Sequence, residues 1–147
     1  MSAGTEVFFL LETRMGRCME NSSGIDILII QALSEYPFVQ AAYLFGSRAR
    51  GRAGDKSDVD LALVCAKTVS GWERLEMENR ISNILGFDVD LVIFHQAGVL
   101  LQHKILQHGK LVYEINRRER IRQETRARYD YLDTRHLHKE LGDVIHG

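Results

Sequence analysis

Two aspartates sit at the head of an otherwise apolar run, Ser57-Asp58-Val59-Asp60-Leu61-Ala62-Leu63-Val64-Cys65, and they limit what this chain can fold into. A short stretch this rich in Val and Leu, bounded by polar residues, reads as a buried β-strand over Val59 to Cys65, apolar on both faces. Residues two apart on a strand share a face, so Asp58 and Asp60 point the same way with Cα atoms ~6.6 Å apart. Carboxylates so placed beside an apolar core repel each other, and one tends to take up a proton. A divalent cation removes that conflict. Flexible carboxylates at this separation can converge on one magnesium ion, at Mg–O distances of ~2.1 Å. The D-x-D spacing by itself equally suits a solvated strand edge, so the neighbouring sequence has to decide.

Upstream, Ala41 to Phe45 is a short apolar run ending at Gly46, consistent with another buried strand. A glycine directly after a strand lets backbone approach a ligand closely. Ser47 follows, and a helical turn starting there would aim free N–H groups at an anion, with its hydroxyl as a further donor. Arg48 and Arg50 can bring positive charge beside phosphates. Taken singly, Gly46-Ser47 is an ordinary turn and the arginines are solvated. Downstream, Phe87 to Phe94 reads as a third strand carrying Asp88 and Asp90 on one face. Periodicity does not choose between them, but Asp90 is followed by Leu91-Val92-Ile93 and is the more deeply set. If this strand pairs with Val59–Cys65, Asp90 lies ~4.8 Å, or a small multiple of it, from the Asp58/Asp60 column. Three carboxylates on neighbouring strands beside a phosphate loop describe a two-metal phosphoryl-transfer site.

The remaining elements follow from periodicity and punctuation. A first helix opens near Ser22 or Ser23, with Ile25, Leu28, Ile29, Ala32 and Leu33 on one stripe, and ends before Pro37. Arg48 to Ser57 is polar and glycine-rich and reads as one helical turn followed by loop. Ser70-Gly71-Trp72-Glu73 has capping-box spacing and starts a helix to about Leu85, with Gly86 just past its end and Trp72 packed. A third helix spans Ala97 to His108, stopped by Gly109. Leu111, Tyr113 and Ile115 alternate as a short extended piece. From Asn116 onward a long charged helix carries Ile121, Thr125, Tyr129, Leu132 and His136 on one stripe. The order α-β-(turn)-β-α-β-α-(β)-α predicts a mixed α/β domain with a small sheet. Residues 1–21 are expected to be a poorly ordered extension, with Met19 a candidate natural start. Residues 22–115 would form the core and 116–147 the C-terminal helix.

Gly46-Ser-Arg-Ala-Arg-Gly51, ten residues between Ser47 and Asp58, Ser57-Asp-Val-Asp-Leu61 and Val89-Asp-Leu-Val92 together resemble the polymerase-β nucleotidyltransferase superfamily. More closely they resemble its minimal nucleotidyltransferases, the MntA-type antitoxins paired with HEPN-domain HepT toxins. The resemblance runs from about Gly24 to Tyr113, and fades beyond. It implies the nucleotidyltransferase α/β (α+β) fold, a small mixed sheet flanked by helices. It implies that Gly46 and Ser47 position the triphosphate of ATP, with Arg48, Arg50 and Ser57 beside it. Asp58 and Asp60 would bind the magnesium ion that bridges the β- and γ-phosphates, and Asp90 with the same pair would bind a second. The acceptor implied is a tyrosine hydroxyl of the HEPN toxin, which receives AMP and is thereby silenced.

Size and charge are compatible with this and exclude little else. A chain of 147 residues suggests one domain, and one this long buries roughly 68–70% of its unfolded surface. The net charge of −1 lacks the strongly basic footprint of a general nucleic-acid binder, so nucleic acid is not expected as a direct partner. Cys18 and Cys65 show no metal-ligand spacing and read as free thiols of a reducing cytosol. Val7 to Leu11 is far short of the ~18 residues of a membrane span. Met1 to Glu6 carries no Lys or Arg, so the n-region of a signal peptide is missing. A cytoplasmic protein without a membrane partner is expected, assembling with the toxin or with copies of itself.

Other features have plainer readings. His95, His103, His108, His136 and His138 show no metal spacing, and His103 and His136 are expected to pack. Arg117, Arg118, Arg120, Arg122, Arg126 and Arg128, with Glu119 and Glu124 interspersed, read first as a solvated helix with local ion pairs. The sharper reading is a docking surface for the partner or for RNA. Two alternatives to the enzyme are an antitoxin that neutralises its toxin by contact alone and a transferase acting on a small molecule or an RNA end.

Overall fold

The computed structural model describes residues 24–46 and 58–146, and side chains as far as 135. The expected 1–21 extension, the Ser22/Ser23 cap, Cys18, Ser47, Arg48, Arg50, Ser57 and the side chain of His136 lie outside the described residues. The elements follow the expected order: α1 (Gly24–Leu33), β1 (Val39–Phe45), β2 (Val59–Cys65), α2 (Gly71–Leu85), β3 (Val89–Ile93), a 3₁₀ turn (Phe94–Gln96), α3 (Val99–His108), β4 (Lys110–Glu114) and α4 (Arg117–His146). The third strand is shorter than its apolar run, because Phe94 enters the 3₁₀ turn and packs into the core.

The four strands form one sheet in the order β3-β2-β1-β4. β1 pairs antiparallel with both β2 and β4, while β2 and β3 are parallel and joined through α2. Alternation along β2 divides the core. Val59, Leu61, Leu63 and Cys65 face α1 and α2, where they meet Ile29, Leu33, Met77, Ile81 and Leu85. Ala62 and Val64 face the other way with Ala41 and Tyr43, against Ile105 of α3 and Ala127 of α4. On β4 the register shifts opposite Ala42/Tyr43. Leu111 and Tyr113, alternate in sequence, therefore pack on opposite sides of the sheet.

Helix ends are satisfied locally. Ser70 caps α2 by accepting from the Glu73 N–H at 3.1 Å, and Gly86 closes it with a left-handed φ of 79°. The capping box is only half made, because the Glu73 carboxylate goes to Lys67 at 2.7 Å. Asn116 caps α4 by accepting from the Glu119 N–H at 3.1 Å. Two expectations are corrected. Trp72 is 72% exposed, since it sits in the first turn of α2 on its outer side. The stripe Ile121, Thr125, Tyr129 and Leu132 faces outward, and α4 instead buries Gln123 and Ala127. That inversion works because most polar groups of the inner side are paired: Gln123 donates through Nε2 to the Cys65 carbonyl at 2.9 Å, its buried Oε1 alone having no partner among the described residues, and Glu124 accepts from Tyr43 and Arg120. His103 does pack, stacked on Tyr131 with ring centroids 3.6 Å apart. No helix of the described residues is long and apolar enough to cross a membrane.

Candidate active site

β1 carries the chain to one end of the sheet, where its last residue, Phe45, pairs with Asp60. The chain then turns at Gly46 with a φ of 76°, a left-handed conformation that costs an L side chain roughly 1–2 kcal/mol. A Cβ added there would lie 2.3 Å from Oδ2 of Asp60. Backbone and carboxylate are in direct apposition, so any L residue there is strained by its backbone and also has to displace the Asp60 carboxylate.

On the other side of Asp60 the parallel ladder places Asp90 at the same register position, one strand spacing of ~4.8 Å away. Val59, Leu61, Val89 and Leu91 all point into the α1/α2 core. Asp60 and Asp90 therefore point to the opposite side, the one that α3 and α4 share. Asp58 immediately precedes β2 and is exposed, as is Asp90, while Asp60 is half-buried. Burial holds the Asp60 carboxyl above the usual carboxylate range, and the negative charges of Asp90 and then Asp58 push it further the same way. Asp88, the rival for the third acid, precedes β3 and is engaged through its backbone, accepting from the Val59 N–H at 2.8 Å.

β3 is an edge strand, whose outward N–H groups need partners. α2 supplies them. Ser82 Oγ accepts from the Val89 N–H at 3.0 Å and Glu78 Oε1 from the Leu91 N–H at 3.0 Å. Arg74 donates to the same Glu78 oxygen and, at 3.4 Å, to the Leu91 carbonyl. Asp90 is thereby fixed between two anchored peptide units. Sequence reasoning missed these three residues. Their signal was a polar series every four residues at 74, 78 and 82, which has meaning only once β3 is known to be an edge.

Among the described residues no three His, Cys, Asp or Glu side chains are drawn together tightly enough to cage a metal unaided. An all-oxygen donor set on an open face instead suits a hard cation held by one or two carboxylates and completed by substrate phosphates. A separate polar cleft of about 390 Å³ lies beyond the far end of β2, lined among others by Cys65, Lys67, His95, Gln102, Arg122 and Arg126. Its acids are Glu119, which is engaged by Arg122 and Gln123, and Asp130. Burial pushes the Cys65 thiol up to about 12, which leaves it unreactive.

A small mixed sheet with a glycine turn against one strand-borne aspartate, and a second aspartate beside it, defines a nucleotidyltransferase core. The chain belongs to the family described as Polymerase beta, Nucleotidyltransferase, whose model matches residues 21–118. It is 34% identical over 77 residues to the protein adenylyltransferase MntA of Shewanella oneidensis, covering 52% of this chain and 55% of that one. It is 38% identical over 61 residues to a putative protein adenylyltransferase of Methanocaldococcus jannaschii, covering 42% of this chain and 62% of that one. The chain thus spans little more than half the length of the curated relatives it matches. Among solved structures it resembles a chain of a toxin–antitoxin complex with AMP-PNP at a TM-score of 0.75 and 25% identity, covering 83% of this chain and 98% of that one. It shares its fold with a chain of the complex of a tri-AMPylated Shewanella oneidensis HEPN toxin with MNT antitoxin, at a TM-score of 0.70 and 23% identity, covering 84% and 97%.

Proposed function

We propose that this chain is a magnesium-dependent adenylyltransferase that moves AMP from ATP to a tyrosine hydroxyl of a partner HEPN-domain toxin, and so serves as the antitoxin of the pair. The observation that carries the reading is the register of Asp60 against Asp90, on one side of the sheet, with Gly46 against the Asp60 carboxylate. Support for a protein acceptor comes from the names of the relatives, which are protein adenylyltransferases. The AMP-PNP complex supports ATP as the donor and a toxin as the partner.

In this reading Gly46 and Ser47 seat the triphosphate, and Arg48, Arg50 and Ser57 flank it. Asp58, Asp60 and Asp90 would together hold two magnesium ions beside the triphosphate. Bound magnesium neutralises charge on the phosphates and lowers the pKa of the acceptor hydroxyl. Asp60, half-buried between the other two, fixes the spacing of the set. Asp90, more exposed, is left to accept the proton as the hydroxyl oxygen bonds to the α-phosphorus. The bond from that phosphorus to the bridging oxygen breaks, and pyrophosphate leaves.

The test is incubation of the chain and its purified HEPN-domain partner with ATP and magnesium, followed by mass spectrometry of the partner. An AMP adduct on a tyrosine is expected, lost with Asp58→Ala and with Asp60→Ala. Labelling that survives both substitutions removes the site assignment. Neutralisation of the toxin without any adduct, unaffected by either substitution, is the result expected of a contact antitoxin. Nucleotide transferred to an RNA end or a small molecule instead would identify a different acceptor.

A further inference from the structure

Helix α4 buries a largely polar inner seam and turns its apolar row outward. Its inner side buries Ala127 and the hydrogen-bonded Gln123 against the sheet. Its outer side exposes Ile121 at 42%, Tyr129 at 65% and Leu132 at 58%. At 3.6 residues per turn these lie along one stripe centred on Thr125, on the opposite side of the helix from the buried seam. Charge is sorted in the same way. Arg117, Arg118, Arg122, Arg126 and Arg128 are all exposed. The two acids of that stretch are turned to the flanks, where Glu119 holds Arg122 and Gln123, and Glu124 holds Arg120 and Tyr43. Arg117, Arg118 and Arg126 have no carboxylate partner among the described residues. Scattered apolar residues are normal on a surface, but a continuous row with a mainly basic rim, in which Asp133 beside Leu132 is the exposed acid, marks a binding face. Tyr and Arg are also the side chains enriched where proteins meet.

We infer that the outer stripe of α4 is the docking surface for the acceptor protein, which meets it with an apolar contact ringed by aspartate and glutamate. The inference rests on the reading of this chain as transferring AMP to a protein. Two observations select this occupant. First, α4 packs on the side of the sheet to which Asp60 and Asp90 point, so a protein bound there is brought to the carboxylate side. Second, the excess positive charge borders an apolar centre and is not spread over the molecule, whose net charge is −1. That suits an acidic protein face better than a nucleic-acid backbone. Trp72 is the rival anchor, being 72% exposed. It belongs to α2 on the opposite side of the sheet, next to Glu73 and among mixed charges.

The test measures affinity for the purified HEPN-domain partner. The variants are Tyr129→Ala/Leu132→Ala and Arg118→Glu/Arg126→Glu, with Trp72→Ala as the control on the other side. None of these side chains is buried, so Tm should stay at the wild-type value. Each double variant is expected to weaken binding at least roughly tenfold, and wild-type affinity should fall as salt rises. Transfer of AMP should show a raised KM for the partner with kcat kept at saturation, and ATP binding should not change. Asp60→Ala should dock normally without transferring AMP, which separates docking from chemistry. Wild-type affinity in both double variants, or loss of binding only with Trp72→Ala, overturns the surface assignment alone. A wild-type chain that does not bind the partner overturns the partner reading and the surface with it. If Arg118→Glu/Arg126→Glu abolishes binding of a fluorescent single-stranded RNA yet leaves partner affinity intact, the stripe belongs to RNA and the inference falls.

Discussion

Asp60 and Asp90 stand at one register position on adjacent parallel strands, and the backbone of Gly46 closes the other flank of Asp60. The half-buried carboxyl is short of water and faces like charges, so the fold carries an unresolved electrostatic conflict where the chemistry is proposed. Such conflicts are common at functional sites, where groups are held away from their ordinary ionisation.

The first prediction concerns pH. Burial, then Asp90 and Asp58, raises the Asp60 pKa in the folded chain above its unfolded value. Between those two values the native state holds the extra proton, so stability falls as pH rises through that window and stays reduced above it. Without divalent cations, Tm should decline from the ordinary carboxyl range upward, and Asp60→Asn should flatten the decline. Magnesium at about ten times its Kd should add roughly 1.4 kcal/mol to the wild type. Asp60→Asn should gain much less. Calorimetry across pH, in chelator and in magnesium, checks both.

A second prediction separates strain from collision at Gly46. Gly46→Ala adds a Cβ 2.3 Å from Asp60 Oδ2 and forces an L residue into a φ of 76°. The backbone term should cost roughly 1–2 kcal/mol. Displacing the carboxylate should reduce AMP transfer by about a hundredfold, as misplacement by an ångström does elsewhere. Gly46→Asn, more tolerant of positive φ, should recover part of the stability and none of the activity. Equal recovery of both would show that the collision is harmless.

The edge clamp gives a third. Glu78 accepts from the Leu91 N–H beside Asp90. Glu78→Ala leaves that amide and the Arg74 guanidinium without their shared partner, at a cost of roughly 1–3 kcal/mol. It should also weaken magnesium-dependent ATP binding by loosening Asp90. Glu78→Gln keeps an acceptor oxygen and should restore most of the binding. Titration of a non-hydrolysable ATP analogue with and without magnesium is the measurement, and an unaffected Glu78→Ala would refute the positioning role.

Much of the fold was legible because its signals are local. The D-x-D strand has the bounds its apolar run gave, Val59 to Cys65. Ser70 and Gly86 close α2 as their residue types demand. The shared side of Asp60 and Asp90 was legible only conditionally: alternation fixes each strand's faces, but pairing β2 with β3 is a tertiary fact. The outward stripe of α4 was illegible for a related reason. Periodicity assigns the apolar row Ile121, Tyr129 and Leu132 to the inside. The actual inner seam uses Gln123, Arg120 and Glu124, whose partners Cys65, Glu114 and Tyr43 lie between 6 and 81 residues away. No single-helix pattern announces that polar residues will be satisfied from elsewhere in the chain.

That seam supplies the last prediction. Arg120 lies between Glu114 and Glu124, and Tyr43 donates its hydroxyl to Glu124. The arginine is 17% exposed, with carboxylates at 22% and 14%, so water screens the cluster poorly. Arg120→Ala removes the cation shared by two half-buried carboxylates, leaving Glu124 the more distant Arg128 at 3.9 Å, and should cost about 3 kcal/mol, the low end for a broken buried pair. Glu124→Ala should cost less, roughly 2–3 kcal/mol, because Arg120 keeps Glu114. Tyr43→Phe removes one hydrogen bond while leaving Glu124 paired, at about 1 kcal/mol. The tyrosine also has a pKa raised by burial and by Glu124. Its folded value lies above the unfolded one, so the native state keeps the proton longer and stability drops as pH climbs past the ordinary phenol range. Tyr43→Phe should lessen that alkaline loss. Urea unfolding of the three variants at neutral pH, and of wild type and Tyr43→Phe at rising pH, tests the ranking. If Glu124→Ala proves costlier than Arg120→Ala, the arginine is not the centre of the cluster.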